Sequence, residues 1–417
     1  MQVQKGVVYI ISRMLANKLF EAFSIYRWND RIRPVDLVEM DKHAHKAVIT
    51  FLIASLEEEK GKEIDWEYLV DGIVFALLQK IVLSDIKATV IDKIRQDYHN
   101  DYISLNKWVV DQYRQYIDDE DFLDKMESFL CKEQSKHEYR ILQAASKYST
   151  KRELEIIYNS NQSFPEISNI LHKLTDEIMQ FSDLPGIAEL NSNAGSLFLG
   201  MCIIEQLRYQ IRWSQSPRIP KTTVLGHCMY VALLIYFISR MLKSCQNRLV
   251  NNFFAALFHD LPESVTRDII SPVKQATTDL PAIIKEIESN ICEQELYPHF
   301  SQYPHFVKKL KYLLGEEFDD EFCNRIMVNN KAEKISDDKD VNKKYNADKY
   351  NLVDGRLIKV CDDIAAYMEA TKSRDYGITS KHLQDGIYSV SNKYLSMEKI
   401  PGVFGVDVKK FFYEFFN

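Results

Sequence analysis

NNFFAALFHDLPESVTRDIISPVK, residues 251–274, begins as an apolar helix and ends in polar chemistry. Phe253, Phe254, Ala256, Leu257 and Phe258 call for burial. His259 and Asp260 follow at once, Glu263 comes within one turn, and then Arg267-Asp268 and Ser271-Pro272-Val273-Lys274. A His and an Asp at the end of such a run are costly in a dry core unless they are paired or bind a metal. The plainer alternative is a helix C-terminus where His259 caps a carbonyl and Asp260 starts a turn. What decides between them is whether the rest of the chain supplies partners.

Upstream, SLFLGMCIIEQLRYQIRW (196–213) reads as a helix ending in Arg212-Trp213, followed by a polar loop with Pro217 and Pro220. Gly226-His227 then opens the apolar helix CMYVALLIYFISRMLK. Downstream, DGRLIKVCDDIAAYMEA (354–370) is helical with Asp362-Asp363 inside it. Asp363 is expected to face solvent and Cys361 to pack. The segment 331–350 is dense in charge and nearly free of large aliphatics, so it reads as a solvated or mobile loop. The tail 408–416 carries aromatics at helical spacing and reads as core.

The first half is helical as well. A helix over 7–28 leads to Tyr26-Arg27-Trp28, residues 29–42 read as a loop, and His43-Ala44-His45 opens KAVITFLIASLEEEK. Helices over 66–80 and 140–158 follow, and NSNQSFP (159–165) breaks the pattern. The two halves match in order. Arg27-Trp28 matches Arg212-Trp213, His45 matches His227, Gln79-Lys80 matches His259-Asp260, Ser84-Asp85 matches Arg267-Asp268 across a three-residue gap, and Ser146 matches Asp362. The expected architecture is all-α with two tandem domains: 1–160 with a replaced polar centre, 161–195 as linker helices, and 196–417 as the catalytic domain.

Composition bounds the function. With 417 residues, two domains are the better prior. The 46% hydrophobic and 27% charged content fits a globular protein, and 13 Gly with 11 Pro favours helices. A net charge of -7 gives no footprint for duplex nucleic acid. The seven scattered cysteines, with no CxxC, suggest reduced thiols in a cytoplasm. The N-terminus makes a poor signal peptide, and the apolar run 228–238 is too short to span a bilayer, so no membrane is expected.

His227, His259, Asp260 and Asp362 lie on three apolar helices. Two imidazoles and two carboxylates suit one borderline divalent ion such as Mn, Fe, Co, Ni or Zn. Such an ion lowers the pKa of a bound water and neutralises phosphate charge. Glu263 is placed to position or deprotonate that water, or to protonate a leaving oxygen. Arg212 can fork a phosphate, and Lys274 adds a cation. A core histidine at 227, and a structural salt bridge and core aromatic at Arg212 and Trp213, are the competing readings. His43 and His45 are read as structural, because Gln79, Lys80 and Ser146 would be their partners.

On this pattern the second half resembles the HD-domain phosphohydrolases, with H…HD…D at His227, His259-Asp260 and Asp362. It is similar in particular to the bacterial 5′-deoxynucleotidase branch, through Arg212-Trp213, Glu263, Asp268, Pro272-Val273-Lys274 and Ala366-Tyr367. The similarity covers about 195–400; Gly226 departs from the Glu common before the first His.

The resemblance implies that His227, His259, Asp260 and Asp362 hold the ion, with Mg also in its range, and that Glu263 is the catalytic carboxylate, aided by Asp260. Arg212 would bind phosphate, Trp213 would crowd the ribose 2′ position, and Asp268 would contact the sugar or a phosphate-binding neighbour. The expected function is metal-dependent hydrolysis of a deoxynucleoside 5′-monophosphate. A triphosphohydrolase, a cyclic-nucleotide phosphodiesterase or a non-catalytic nucleotide sensor are the alternatives. The nucleotide substrate is the expected partner, in a homo-oligomer.

Overall fold

The computed structural model describes residues 8–9, 11–132, 134–269, 273, 276–335 and 341–413. Helices carry the chain. Among the described residues, strands form a small three-stranded antiparallel sheet and a two-residue parallel pair. The architecture is all-α, as the periodicity requires. None of the seven cysteines is in a disulfide.

The chain divides into two compact units, one over residues 14–191 and the other beginning at Ser192. The second also takes in the strand Val8–Tyr9, which pairs in parallel with Val406–Asp407. The helices Glu166–Met179 and Ile187–Asn191, within the segment read as a linker, belong to the first unit. Ile167 there joins Leu37, Leu154 and Ile157 in one apolar cluster.

Each unit is built round a helix buried on every side, which is the pattern of a core helix rather than a surface one. In the first unit it is Glu39–Glu59, packed against His137–Tyr158 and Trp66–Leu83. In the second it is Val224–Met241, packed against Gln246–Phe258 and Gly355–Asp375. Val224–Met241 is also the one described helix long and apolar enough to cross a membrane, and it is mostly buried within the unit.

Side-chain caps fix several helix starts by accepting an orphan backbone N–H. The Thr223 hydroxyl accepts from Gly226 N, Asp65 from Tyr68 N, and Ser380 from Leu383 N. Val408, Phe411 and Phe412 of the tail are core, the Phe412 ring stacking on Tyr394 at 5.4 Å and meeting Tyr367 edge-on at 5.1 Å, while Tyr413 is exposed and 414–416 lie outside the described residues.

Three local expectations change. The first core helix starts at Glu39, not at His43. Its start is set by Tyr26 bridging Val38, with Glu39 N donating to Ile25 O, a long-range pairing that local polarity hides. The charged segment 331–350 is not one solvated loop. Lys331–Lys334 is the second strand of a hairpin with Asn324–Val328. Its two-residue turn is Asn329-Asn330, both at positive φ, a conformation Asn tolerates. Ile335, Val341 and Leu352 then bury against Ile326, while 336–340 lie outside the described residues. Last, Asp363 is not solvent-facing: it accepts from Lys393 Nζ at 2.6 Å and Tyr394 OH at 2.7 Å.

The helix that carries Asp362 is anchored at its start by a buried ion pair. Arg248 grips Asp354 through Nε at 2.7 Å and a terminal nitrogen at 3.0 Å, and Asn252 donates to the same carboxylate at 2.7 Å. Removing one partner leaves a buried guanidinium uncompensated. Asp354→Ala is therefore expected to destabilise the second unit by about 3–5 kcal/mol in chemical denaturation. A change below about 1 kcal/mol would show that the pair is solvated and carries little.

Candidate metal centre

Three helices of the second unit converge on one point. His227 lies in the first turn of Val224–Met241, His259 directly follows Gln246–Phe258, and Asp362 stands in Gly355–Asp375. One ligand atom from each of His227, His259 and Asp362 falls within 4.8 Å of the other two. His227 Nε2 is 3.0 Å from Asp362 Oδ1, and His259 Nε2 is 3.8 Å from that oxygen.

The tautomers follow from the partners. His227 Nδ1 faces Glu369 Oε1 at 3.2 Å, and His259 Nδ1 faces Ala256 O at 2.7 Å. A carboxylate and a carbonyl only accept, so both Nδ1 atoms carry the proton, and with an ion between them and Asp362 both Nε2 atoms would present their lone pairs to it. His259 thus does two jobs at once: it caps the end of its helix and turns Nε2 inward. That Nε2 is buried and makes no hydrogen bond of ordinary geometry. A buried ring nitrogen left this way, amid carboxylates, fits a divalent cation.

Asp260 joins from another side. Its Oδ2 is 3.3 Å from His259 Nε2 and 3.4 Å from an Arg212 terminal nitrogen. It forms a second close group with His259 and Cys228 rather than with His227 and Asp362. The Cys228 sulfur is 4.0 Å from Asp260, and burial pushes its thiol up, so it presents S–H rather than thiolate.

The electrostatics favour ionised aspartates. Burial works against the charged forms, but Lys359, His227 and His259 hold the Asp362 carboxyl well below its ordinary value. Against the same opposition, His259 and Arg212 hold Asp260 below its own. Lys359 Nζ sits 2.7 Å from Asp362 Oδ2, a cation at the rim of the group.

The residue that pattern reading missed is Glu369. It is buried and collects five partners. Trp213 Nε1 donates at 2.8 Å, Thr222 Oγ1 at 2.9 Å and His227 Nδ1 at 3.2 Å. Arg212 Nε and an Arg218 nitrogen stand at 3.4 Å. Burial raises its pKa, but Arg212, Arg218 and His227 outweigh burial and keep it ionised. A signal existed: Glu369 lies seven residues after Asp362, on the same buried helix face.

Arg212 is tied to Glu369 and Asp260, and Trp213 to Glu369. Trp213 has φ 57°, a left-handed conformation costly for a bulky residue and held only by its surroundings. Its ring lies on the helix Lys381–Ser396 at Gly386, where a Cβ would come within 2.7 Å of the indole. Glu263 is buried in the short helix Glu263–Thr266. Gln210, also missed, brackets that segment: its amide donates to Glu263 O at 2.9 Å and accepts from Asp268 N at 3.2 Å. Asp268 lies close enough to Arg212 to raise its pKa. Lys274 lies outside the described residues.

The first unit repeats several of these contacts with different chemistry. Trp28 also has positive φ, at 55°, and donates to the buried Glu153 at 3.0 Å, which also takes Arg27 Nε at 2.8 Å. Arg27 N donates to Leu37 O as Arg212 N does to Thr222 O. That register puts Lys42, not His45, at the place of His227. Lys42 Nζ donates to Ser146 Oγ at 2.7 Å where His227 meets Asp362. His45 turns aside, to Ser149 Oγ at 3.1 Å. The match of His45 with His227 is out by three residues because both precede similar apolar runs.

An all-α unit that brings His227, His259 and Asp362 to one buried point, with Asp260 beside His259, fits a metal-binding helical domain. Residues 204–391 match the family model of the HD domain, so this segment is similar to a superfamily of metal-dependent phosphohydrolases that bind divalent ions. No curated protein and no solved structure matches it.

Glu369 orients His227 without facing the ligand point itself. Glu369→Gln is expected to destabilise the second unit, because it removes the buried charge that faces Arg212 and Arg218, and to lower affinity for a divalent ion about 10–100-fold by isothermal titration, as loss of such a partner does. His227→Ala should lower metal content, while His45→Ala should leave it unchanged by elemental analysis. Metal lost from the His45 variant would place a ligand in the first unit.

Proposed function

We propose that the second unit is a 5′-deoxynucleotidase-like phosphohydrolase, releasing phosphate from a deoxynucleoside 5′-monophosphate. The observation that carries the reading is the pair of histidines, each with Nδ1 engaged and Nε2 turned toward Asp362. His227, His259, Asp362 and Asp260 would hold one divalent ion. When bound, that ion neutralises phosphate charge and lowers the pKa of a water.

The chain's own residues supply the rest. Asp362 and Asp260 bring the negative charge that retains the ion. Arg212 stands 3.4 Å from both its carboxylate partners, longer than an ordinary N–H···O bond, so a phosphate oxygen can compete for its fork. Glu263, one turn beyond the His-Asp pair and held by Gln210, is the carboxylate that takes a proton from the attacking water or returns one to the leaving oxygen. Trp213 presents its half-buried ring edge to the sugar, and Asp268 steadies Arg212. Lys274 would add a cation on the phosphate.

We further propose that residues 14–191 are a degenerate HD-like domain. The recurring Arg-Trp-Glu arrangement supports this, and the substituted ligand positions mean that it holds no catalytic metal.

Two outcomes are expected from phosphate-release assays with mono- and triphosphates and several divalent ions. Asp260→Ala should lose metal and turnover together. Glu263→Gln should keep its metal while the rate falls about 10²–10⁴-fold, the usual contribution of a positioned acid or base. Loss of metal from the Glu263 variant would make that residue a ligand, and normal turnover by chelated protein would end the reading. Trp213→Ala should weaken discrimination against ribonucleotides; an unchanged ratio would leave Trp213 with a structural role alone.

A further inference from the structure

The first unit buries an unusual number of cations close together. Glu39, Lys42, His43 and Lys46 occupy one face of the core helix at spacings of three, four and seven, and each is at most 5% exposed. Lys80 reaches the same place from the helix Trp66–Leu83, and Arg27 from the loop before the core helix. Burial and the charges of Lys42, Lys46, Arg27 and Lys80 all push the His43 imidazole well below its ordinary value.

The anions present do not balance them. Arg27 takes both carboxylates, Glu39 at 2.7 Å and Glu153 at 2.8 Å; the other Glu39 oxygen lies 3.5 Å from His43 Nε2, and Asp85 and Asp92 act on Lys80 without an ion-pair contact. Lys42 has only the neutral Ser146 hydroxyl at 2.7 Å. Among the described residues, neither the Lys46 nor the Lys80 ammonium has a hydrogen-bonding or ion-pairing partner. His43 Nδ1 is buried without one as well. Burial alone pushes Lys46 down to about 8, so the site strains against carrying its charge. Burying like charges is costly unless something of opposite sign joins them.

We propose that this cluster is an anion site that takes a phosphate group, borne either by inorganic phosphate or by a nucleotide. Lys42 and Lys46, one turn apart on the same buried face, and Lys80 would serve as point-charge donors, the way lysine binds phosphate. Ser146 and His43 Nδ1–H add neutral donors. The place is the one where the second unit gathers His227, Asp260 and Asp362, so the sign of the pocket is inverted: cation-binding there, anion-binding here. The proposal rests on the cluster itself, and failure of the phosphohydrolase reading would leave it standing.

The test is calorimetric titration of the metal-free full-length protein with inorganic phosphate and, in a second arm, with deoxyadenosine monophosphate. A single saturable event is expected, weakened about tenfold or more in Lys46→Gln and in Lys80→Gln, since each removes a charged hydrogen bond. Asp362→Asn should leave it unchanged, because that residue belongs to the other unit. Equal affinity in the two arms assigns the free anion, and tighter binding of the monophosphate assigns the nucleotide. Lys80 is half-buried, so its variant tests the site even if Lys46→Gln fails to fold. Absence of saturable binding in both arms overturns the proposal. So does binding that survives Lys80→Gln and vanishes in Asp362→Asn.

Discussion

The buried carboxylate of Glu369 is the contact on which the second unit depends. It ties the loop carrying Arg212, Trp213 and Thr222 to the helix of His227 and to its own helix, which also bears Asp362. Without that negative charge, Arg212 would keep Asp260 as a carboxylate partner, Arg218 would be left with the neutral Pro220 O and Thr222 Oγ1, and His227 Nδ1 would lose its acceptor. Its burial makes each of those bonds stronger than it would be in water, and makes the loss of any partner more expensive. The left-handed Trp213 is tolerable because the indole N–H is held at Glu369 and the ring rests on Gly386.

The two units separate support from chemistry. Both keep an Arg, a positive-φ Trp and a fully buried Glu in mutual contact. They differ at the positions where ligands converge: His and Asp in one, Lys and Ser in the other. In both units the trio of Arg, Trp and Glu holds the loop and the core helix together. In the second unit that same support also fixes an imidazole tautomer. Arg212 is thereby both a structural cation and a donor within reach of the ligand point.

Much of this was legible in the sequence. The apolar runs around His227, 253–258 and Asp362 announced three core helices, and adjacent polar residues on buried helices marked the site. Glu369 escaped because a lone Glu on a mixed helix face looks solvated until three other elements are seen to close over it. Gln210 escaped because its work is done on backbone groups, which leave no residue pattern. Register was lost at His45, where apolar periodicity is the same three or four residues on, so only the bridge between Arg27 and Leu37 fixes it. The hairpin at Asn329-Asn330 was obscured by the charge that surrounds it.

Asp362 and Glu369 are seven residues apart, as are Ser146 and Glu153, so each pair lies two turns apart on one helical rod. One added residue between them would swing the second side chain about 100° away from the first. The interval is thus closed to insertion and deletion. If the two units are copies of one another, length varies in the turn after His259-Asp260, where the first is three residues shorter between Lys80 and Asp85 than the second between Asp260 and Asp268. Lineages carrying this domain should therefore record their divergence as changes of length in that turn and as changes of residue type, but not of spacing, along the rod.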